Sequence, residues 1–178
     1  MRILLGRVYA FVAIIGVSAL TLGTSCFVAG ARINTTRSIP VGLYWISNGP
    51  IERGAYVMFC PPAIDVFAEA KERGYITGGF CPGDYGYMMK RILAAKGSVV
   101  TVTSDGVLVD GKMLEYSKPY QADPAGRPLP RYQSSQYTLG SNELLLMSDV
   151  SSSSFDARYF GPVDRSQVKS VIRPIFIW

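Results

Sequence analysis

The hydrophobic pattern splits the chain in two. From Val8 to Ala31 there are 24 residues without a charge. As a helix this run would measure about 36 Å at 1.5 Å per residue, enough to cross a hydrocarbon core of about 30 Å. Gly16, Ser18, Thr21, Gly23, Thr24 and Ser25 dilute its hydrophobicity. Two readings fit. The length suits a retained anchor, while Ala29-Gly30-Ala31 has the small residues of a signal-peptide cleavage site. Arg2 and Arg7 flank one end and Arg32 and Arg37 the other, so counting basic residues barely biases the orientation.

After Arg32 the pattern becomes short and β-like. Leu43–Ser47, Ala55–Phe59, Glu143–Asp149 and Val168–Trp178 read as strands. Val99–Leu114 alternates in part and contains Asp105-Gly106 and Asp110-Gly111, both hairpin turn signals. One helix is predicted between Pro62 and Gly74, with proline near its start and glycine at its end. Lys118–Gln136 carries Pro119, Pro124, Pro128 and Pro130 and reads as a long irregular loop. The stretch Tyr87–Gly97 places Lys90 and Arg91 between Met88-Met89 and Ile92-Leu93. Neighbours on a strand point to opposite faces, so one of the two cations must share the face of Met88 and Ile92.

Composition narrows the function. The 178 residues are 48% hydrophobic and 17% charged, with a net charge of +5. With Arg2 and Arg7 set aside, 16 basic residues face 13 acidic ones, and no Lys/Arg run suggests a phosphate track. Nucleic-acid binding is therefore not expected. Of three cysteines, Cys26 lies in the apolar run. Cys60 and Cys81 are each followed by proline. They read as a disulfide, which would place the domain outside the cytosol, or as two free buried thiols. There is no histidine. That removes Ser-His-Asp and Cys-His catalysis and most transition-metal sites; no metal is expected.

A hydrolase of this composition needs another base. A lysine serves if burial in apolar surroundings lowers its pKa enough to supply a neutral amine. Lys90 has such neighbours. The bland alternative is an edge-strand lysine that discourages aggregation. The matching nucleophile is Ser38, between Arg37 and Ile39-Pro40, where the proline restrains Ile39 toward extended geometry. Its alternative is an ordinary turn serine beside a membrane. Thr36 would offer a hydroxyl to an oxyanion alongside the Ser38 N–H. Ser38 lies only six positions after Arg32, so a membrane-tethered peptide is the expected substrate.

Together these segments resemble the type I signal peptidase family, which uses a Ser–Lys dyad. Ser38-Ile39-Pro40 stands where that family has Ser-Met-x-Pro, with the proline one place closer. Lys90, Arg91, Ile92 and Gly97 match its Lys-Arg-Val-x-Gly-x-Pro-Gly-Asp motif, while Ala94, Lys96 and Ser98 depart. Glu52–Phe59 and the hairpin after Val99 also have counterparts. Ser148–Gly161 carries the most specific match, with Asp149, Ser154, Asp156, Arg158 and Gly161 in register. Ser148, Val150 and Ala157 replace the family's Gly, Asn and Ser.

The resemblance implies a mainly β fold, an antiparallel catalytic domain with one short helix behind a single transmembrane helix. It implies a cytoplasmic segment 1–7, an anchor 8–31 and a periplasmic domain 32–178 on the bacterial inner membrane. It implies that Ser154 bonds Lys90, that Asp156 and Arg158 pair to hold the serine loop, and that no cofactor is needed. The early proline and the Cys60–Cys81 insertion resemble the conjugative-transfer branch, which matures a pilin precursor, by hydrolysis or by cyclisation through the pilin's N-terminal amine. The expected partners are that precursor, the cytoplasmic membrane and other transfer components. The insertion and the Pro-rich loop would help select the pilin. Rival readings are a general signal peptidase and a non-catalytic scaffold of the transfer apparatus.

Overall fold

The computed structural model describes residues 2–178; Met1, the first residue of the expected 1–7 segment, lies outside them. Helix α1 spans Arg2–Val28, so it begins before the uncharged run Val8–Ala31 does and ends three residues before that run ends. Gly30, at φ 112°, takes a backbone conformation that other residues resist, and the helix stops there. Ala31, expected within the apolar segment, instead opens a strand. Within Arg7–Val28 the most apolar 18 residues have a mean hydropathy of 2.1, and none of them is buried against the domain.

The strands run in order as β1 (Ala31–Asn34), β2 (Gly42–Ser47), β3 (Tyr56–Phe59), β4 (Gly78–Cys81), β5 (Met88–Ala94), β6 (Val99–Val102), β7 (Val107–Val109), β8 (Lys112–Met113), β9 (Ser134–Thr138), β10 (Glu143–Met147), β11 (Val163–Asp164) and β12 (Val168–Ile177). Helix α2 (Asp65–Glu72) precedes β4, and the one-turn α3 (Ala157–Phe160) follows β10. A seven-stranded sheet has the order β1-β2-β12-β3-β5-β10-β11, and a four-stranded sheet β8-β7-β6-β9. All their pairings are antiparallel. The last strand lies between β2 and β3, and this ties the two ends of the domain together.

The turn between β7 and β8 uses Asp110 at φ 52° and Gly111 at φ 78°, the doubly positive geometry of a two-residue hairpin. Helix α2 is shorter than the segment Pro62–Gly74 that signals it. Strand β9 begins at Ser134, inside the stretch read as loop, so the irregular segment stops at Gln133.

One core lies between the seven-stranded sheet and the α2 segment, and another where the two sheets meet. The first gathers Val57, Phe59, Phe67, Ile92, Leu144 and Leu146; the second gathers Val100, Val102, Val107, Leu145 and Met147. Cys60 and Cys81 form a disulfide that closes the segment carrying α2 onto the edge of the first core. Aromatic rings continue this packing toward the site. Phe67 of α2 meets Phe155 and Phe160, and Tyr75 meets Phe155 at 5.6 Å.

Candidate active site

Strand β5 answers the question set by its two cations. Burial alternates along it, with Met88, Lys90, Ile92 and Ala94 buried and Met89, Arg91 and Leu93 less so. Lys90 therefore shares the inner face, and only 2% of it is exposed. Desolvation by this burial lowers its pKa from 10.5 to about 8. The nearby Asp156 carboxylate opposes that shift, and Arg158 adds to it. None of the ion pairs among the described residues includes Lys90. Arg91 goes the other way. It pairs with Asp149, donates to the Gly54 carbonyl at 3.0 Å and lies over the Tyr56 ring.

Ser38 sits in the loop joining β1 to β2. Asn34, at the end of β1 and 4% exposed, organises that loop. Its Nδ2 donates to the carbonyls of Thr36 (2.7 Å), Ile39 (2.9 Å) and Pro40 (3.1 Å). Its Oδ1 accepts from the Thr36 N–H and hydroxyl at 3.2 and 3.0 Å. The buried Tyr44 hydroxyl adds a bond to Pro40 O at 2.7 Å. Asn34 is the residue whose function the sequence did not announce; its only signal was an amide immediately before Thr-Thr.

Ser38 and Lys90 line one cleft of about 280 Å³, together with Thr36, Tyr75, Met88 and Phe155. A second cleft of about 310 Å³ also has Ser38, Thr36, Tyr75 and Phe155 in its wall, and there Ser154 joins them. No hydrogen bond links Ser38 to Lys90 or Lys90 to Ser154 among the described residues. Ser154 Oγ is buried and has no partner among them. The Thr36 hydroxyl is engaged by Asn34, so it donates to another acceptor only after turning away.

Asp156 and Arg158 form an ion pair at 2.8 Å with neither side chain exposed. The guanidinium also donates to the carbonyls of Tyr116, Ser151, Ser152 and Ser154. Asp156 accepts from the Ser148 and Arg158 N–H groups and caps α3. This is a pair inside the protein, not on its surface, and it fixes the loop that carries Ser154.

The family model for the signal peptidases, peptidase S26, matches residues 4–178. The chain belongs to that family. Membership implies a serine peptidase. The chain is 65% identical to a plasmid transfer protein TraF of Escherichia coli over 97% of both chains. It is 38% identical to a conjugal transfer protein TraF of Agrobacterium tumefaciens (strain 15955), over 90% of this chain and 89% of that one. A signal peptidase I of Enterococcus faecalis V583 is similar with a TM-score of 0.41 at 18% identity, covering 70% of this chain and 98% of the other.

Proposed function

We propose that this chain is a membrane-anchored serine endopeptidase that matures a conjugative pilin precursor, with Ser38 as nucleophile and Lys90 as general base. The observation that carries the reading is the shared cleft: a serine on a stapled loop faces the space occupied by a buried lysine. With a pKa of about 8, about a tenth of Lys90 is neutral at pH 7. The relatives named for plasmid and conjugal transfer support the choice of a pilin precursor over exported proteins in general.

The Lys90 amine takes the Ser38 proton as Oγ bonds to the scissile carbonyl carbon. The Ser38 N–H and the Thr36 hydroxyl, turned from Asn34, hold the oxyanion. The intermediate collapses, the C–N bond breaks, and Lys90 returns its proton to the leaving amine. Water or an amine then attacks the ester, Lys90 takes the attacker's proton, and Ser38 leaves and is reprotonated. Water gives a linear pilin. The pilin's own N-terminus gives a cyclic one, favoured by its high effective concentration. Ser154 steadies the Lys90 amine, and Asp156 with Arg158 holds Ser154. Asp149 fixes Arg91 and with it the register of β5. No cofactor enters any step. Helix α1 holds the domain on the periplasmic side of the inner membrane, next to its tethered substrate and other transfer components.

The test is the intact mass of the pilin precursor after exposure to wild type, Ser38→Ala and Lys90→Ala. Trimming by the wild type alone is the expected result. A product one water lighter than the linear peptide identifies a cyclase. Full-length precursor in all three samples rejects the pilin as substrate and favours the scaffold, and equal trimming by both variants rejects the dyad.

A further inference from the structure

The cleft of about 310 Å³ next to Ser38 is not the one Lys90 lines. One wall is Tyr75, which follows α2 in the disulfide-closed segment. A second wall is the Pro-rich loop, through Tyr120, Asp123, Pro124 and Leu129. The floor is Phe155 stacked on Tyr159, with centroids 5.6 Å apart and planes 5° from parallel. The two walls are joined. The Tyr75 hydroxyl donates to Asp123 at 2.5 Å, and Arg73 Nη1 donates to the Pro128 carbonyl at 2.6 Å.

Ser154 Oγ, Ser38 and Arg37 line this cleft without a side-chain partner among the described residues, but the polar groups at its Pro-rich end are already satisfied. Asp123 accepts from Tyr75, from Arg127 Nε at 2.6 Å and from the Ala125 and Arg127 N–H groups. The Tyr159 hydroxyl accepts from the Tyr120 N–H. Most of what faces the space is aromatic and aliphatic carbon. A charged or strongly polar side chain entering the end between Tyr75, Pro124 and Leu129, away from Arg37, would lose water and gain no partner. A cavity of about 150 Å³ admits benzene, so this one has room for an aromatic side chain and adjoining backbone.

Resting on the peptidase reading above, we propose that this cleft is a second substrate subsite. It takes an apolar or aromatic side chain of the membrane-tethered peptide, on the side of the scissile bond opposite the residue held in the Lys90 cleft. The Tyr75–Asp123 bond sets its width. The occupant follows from Ser38 and Thr36 bordering both clefts: a chain that presents its carbonyl to Ser38 runs through both. Tyr75 and Asp123 are positioning residues, and Leu129 is a selecting one.

The test uses full-length protein in detergent and the pilin precursor with each residue flanking the scissile bond changed in turn to Ala, Phe or Asp. The enzymes are wild type, Tyr75→Phe and Leu129→Trp, and kcat and KM are measured separately. At one position, on one side of the bond, the wild type should favour Phe over Asp by about tenfold or more in kcat/KM. Leu129→Trp, by filling the cleft, should abolish that preference, and Tyr75→Phe should weaken it mainly through KM. If the wild type processes the precursors but neither variant shifts a preference at any position, the subsite is wrong and the peptidase stands. If the wild type processes none of them, the peptidase reading fails and the subsite fails with it.

Discussion

The Asn34 amide donates to the carbonyl of Ile39, the residue after Ser38, at 2.9 Å. Two further donations, to Thr36 and Pro40, place the Ser38 loop around one buried side chain. Its position is thus set by the end of β1 and not by contacts of Ser38 itself.

Replacing Asn34 should therefore harm catalysis more than folding. Asn34→Ala leaves three carbonyls without this donor, at about 1–3 kcal/mol for a buried unsatisfied group. Asn34→Asp should be worse, because a carboxylate oxygen would face those carbonyls in place of the NH₂. The expected order of kcat is wild type, then Ala, then Asp, with KM nearly constant. Equal kcat for all three would show that the loop holds its shape without the amide.

Lys90 gives a pH prediction with two signs to satisfy. If Lys90 is the proposed base, the active form is the neutral amine and kcat/KM should rise with pH through about 8. Stability should follow the same direction. Between about pH 8 and 10.5 the unfolded chain holds the Lys90 proton and the folded chain does not, so folding gains as pH rises through that window. Below it the folded protein carries a buried ammonium, at a cost of about 3 kcal/mol for a shift of this size. Lys90→Met should thus be inactive, more stable than wild type at pH 6–7, and nearly level with it above pH 10.5. Urea melts across this range decide the matter; a wild type that is more stable than Lys90→Met at pH 6 would contradict the buried ammonium.

The buried position of Lys90 was legible because it stands inside an apolar run of strand period; its role as base is the proposal made above. Strand β5 was legible for the same reason, since its alternation survives the charges. The Asp110-Gly111 turn was legible because its residue types tolerate positive φ. Asn34 was hidden, because the direction of its amide depends on where Ile39 and Pro40 return in space. Strand β9 was hidden because Ser134–Thr138 is largely exposed and polar, leaving no period to read. The end of α1 was misjudged at Ala31 because composition does not register the backbone turn at Gly30. The position of β12 between β2 and β3 is a long-range pairing that its own sequence does not encode.

The Asp156–Arg158 pair carries the last prediction. Both side chains are fully buried, so removing one strands the other's charge, at about 3–5 kcal/mol. Arg158→Met also leaves the carbonyls of Tyr116, Ser151, Ser152 and Ser154 without its donors. Arg158→Lys keeps the charge but not the planar fork that reaches Asp156 and these carbonyls together, so it should recover only part of the loss. The double variant Asp156→Leu/Arg158→Met removes both charges and should be more stable than Arg158→Met alone, yet still below wild type because the carbonyls stay unpaired. Denaturant midpoints of the full chain in detergent test the series. If Arg158→Lys matches the wild type, charge alone suffices and the carbonyl bonds contribute little to holding the loop of Ser154.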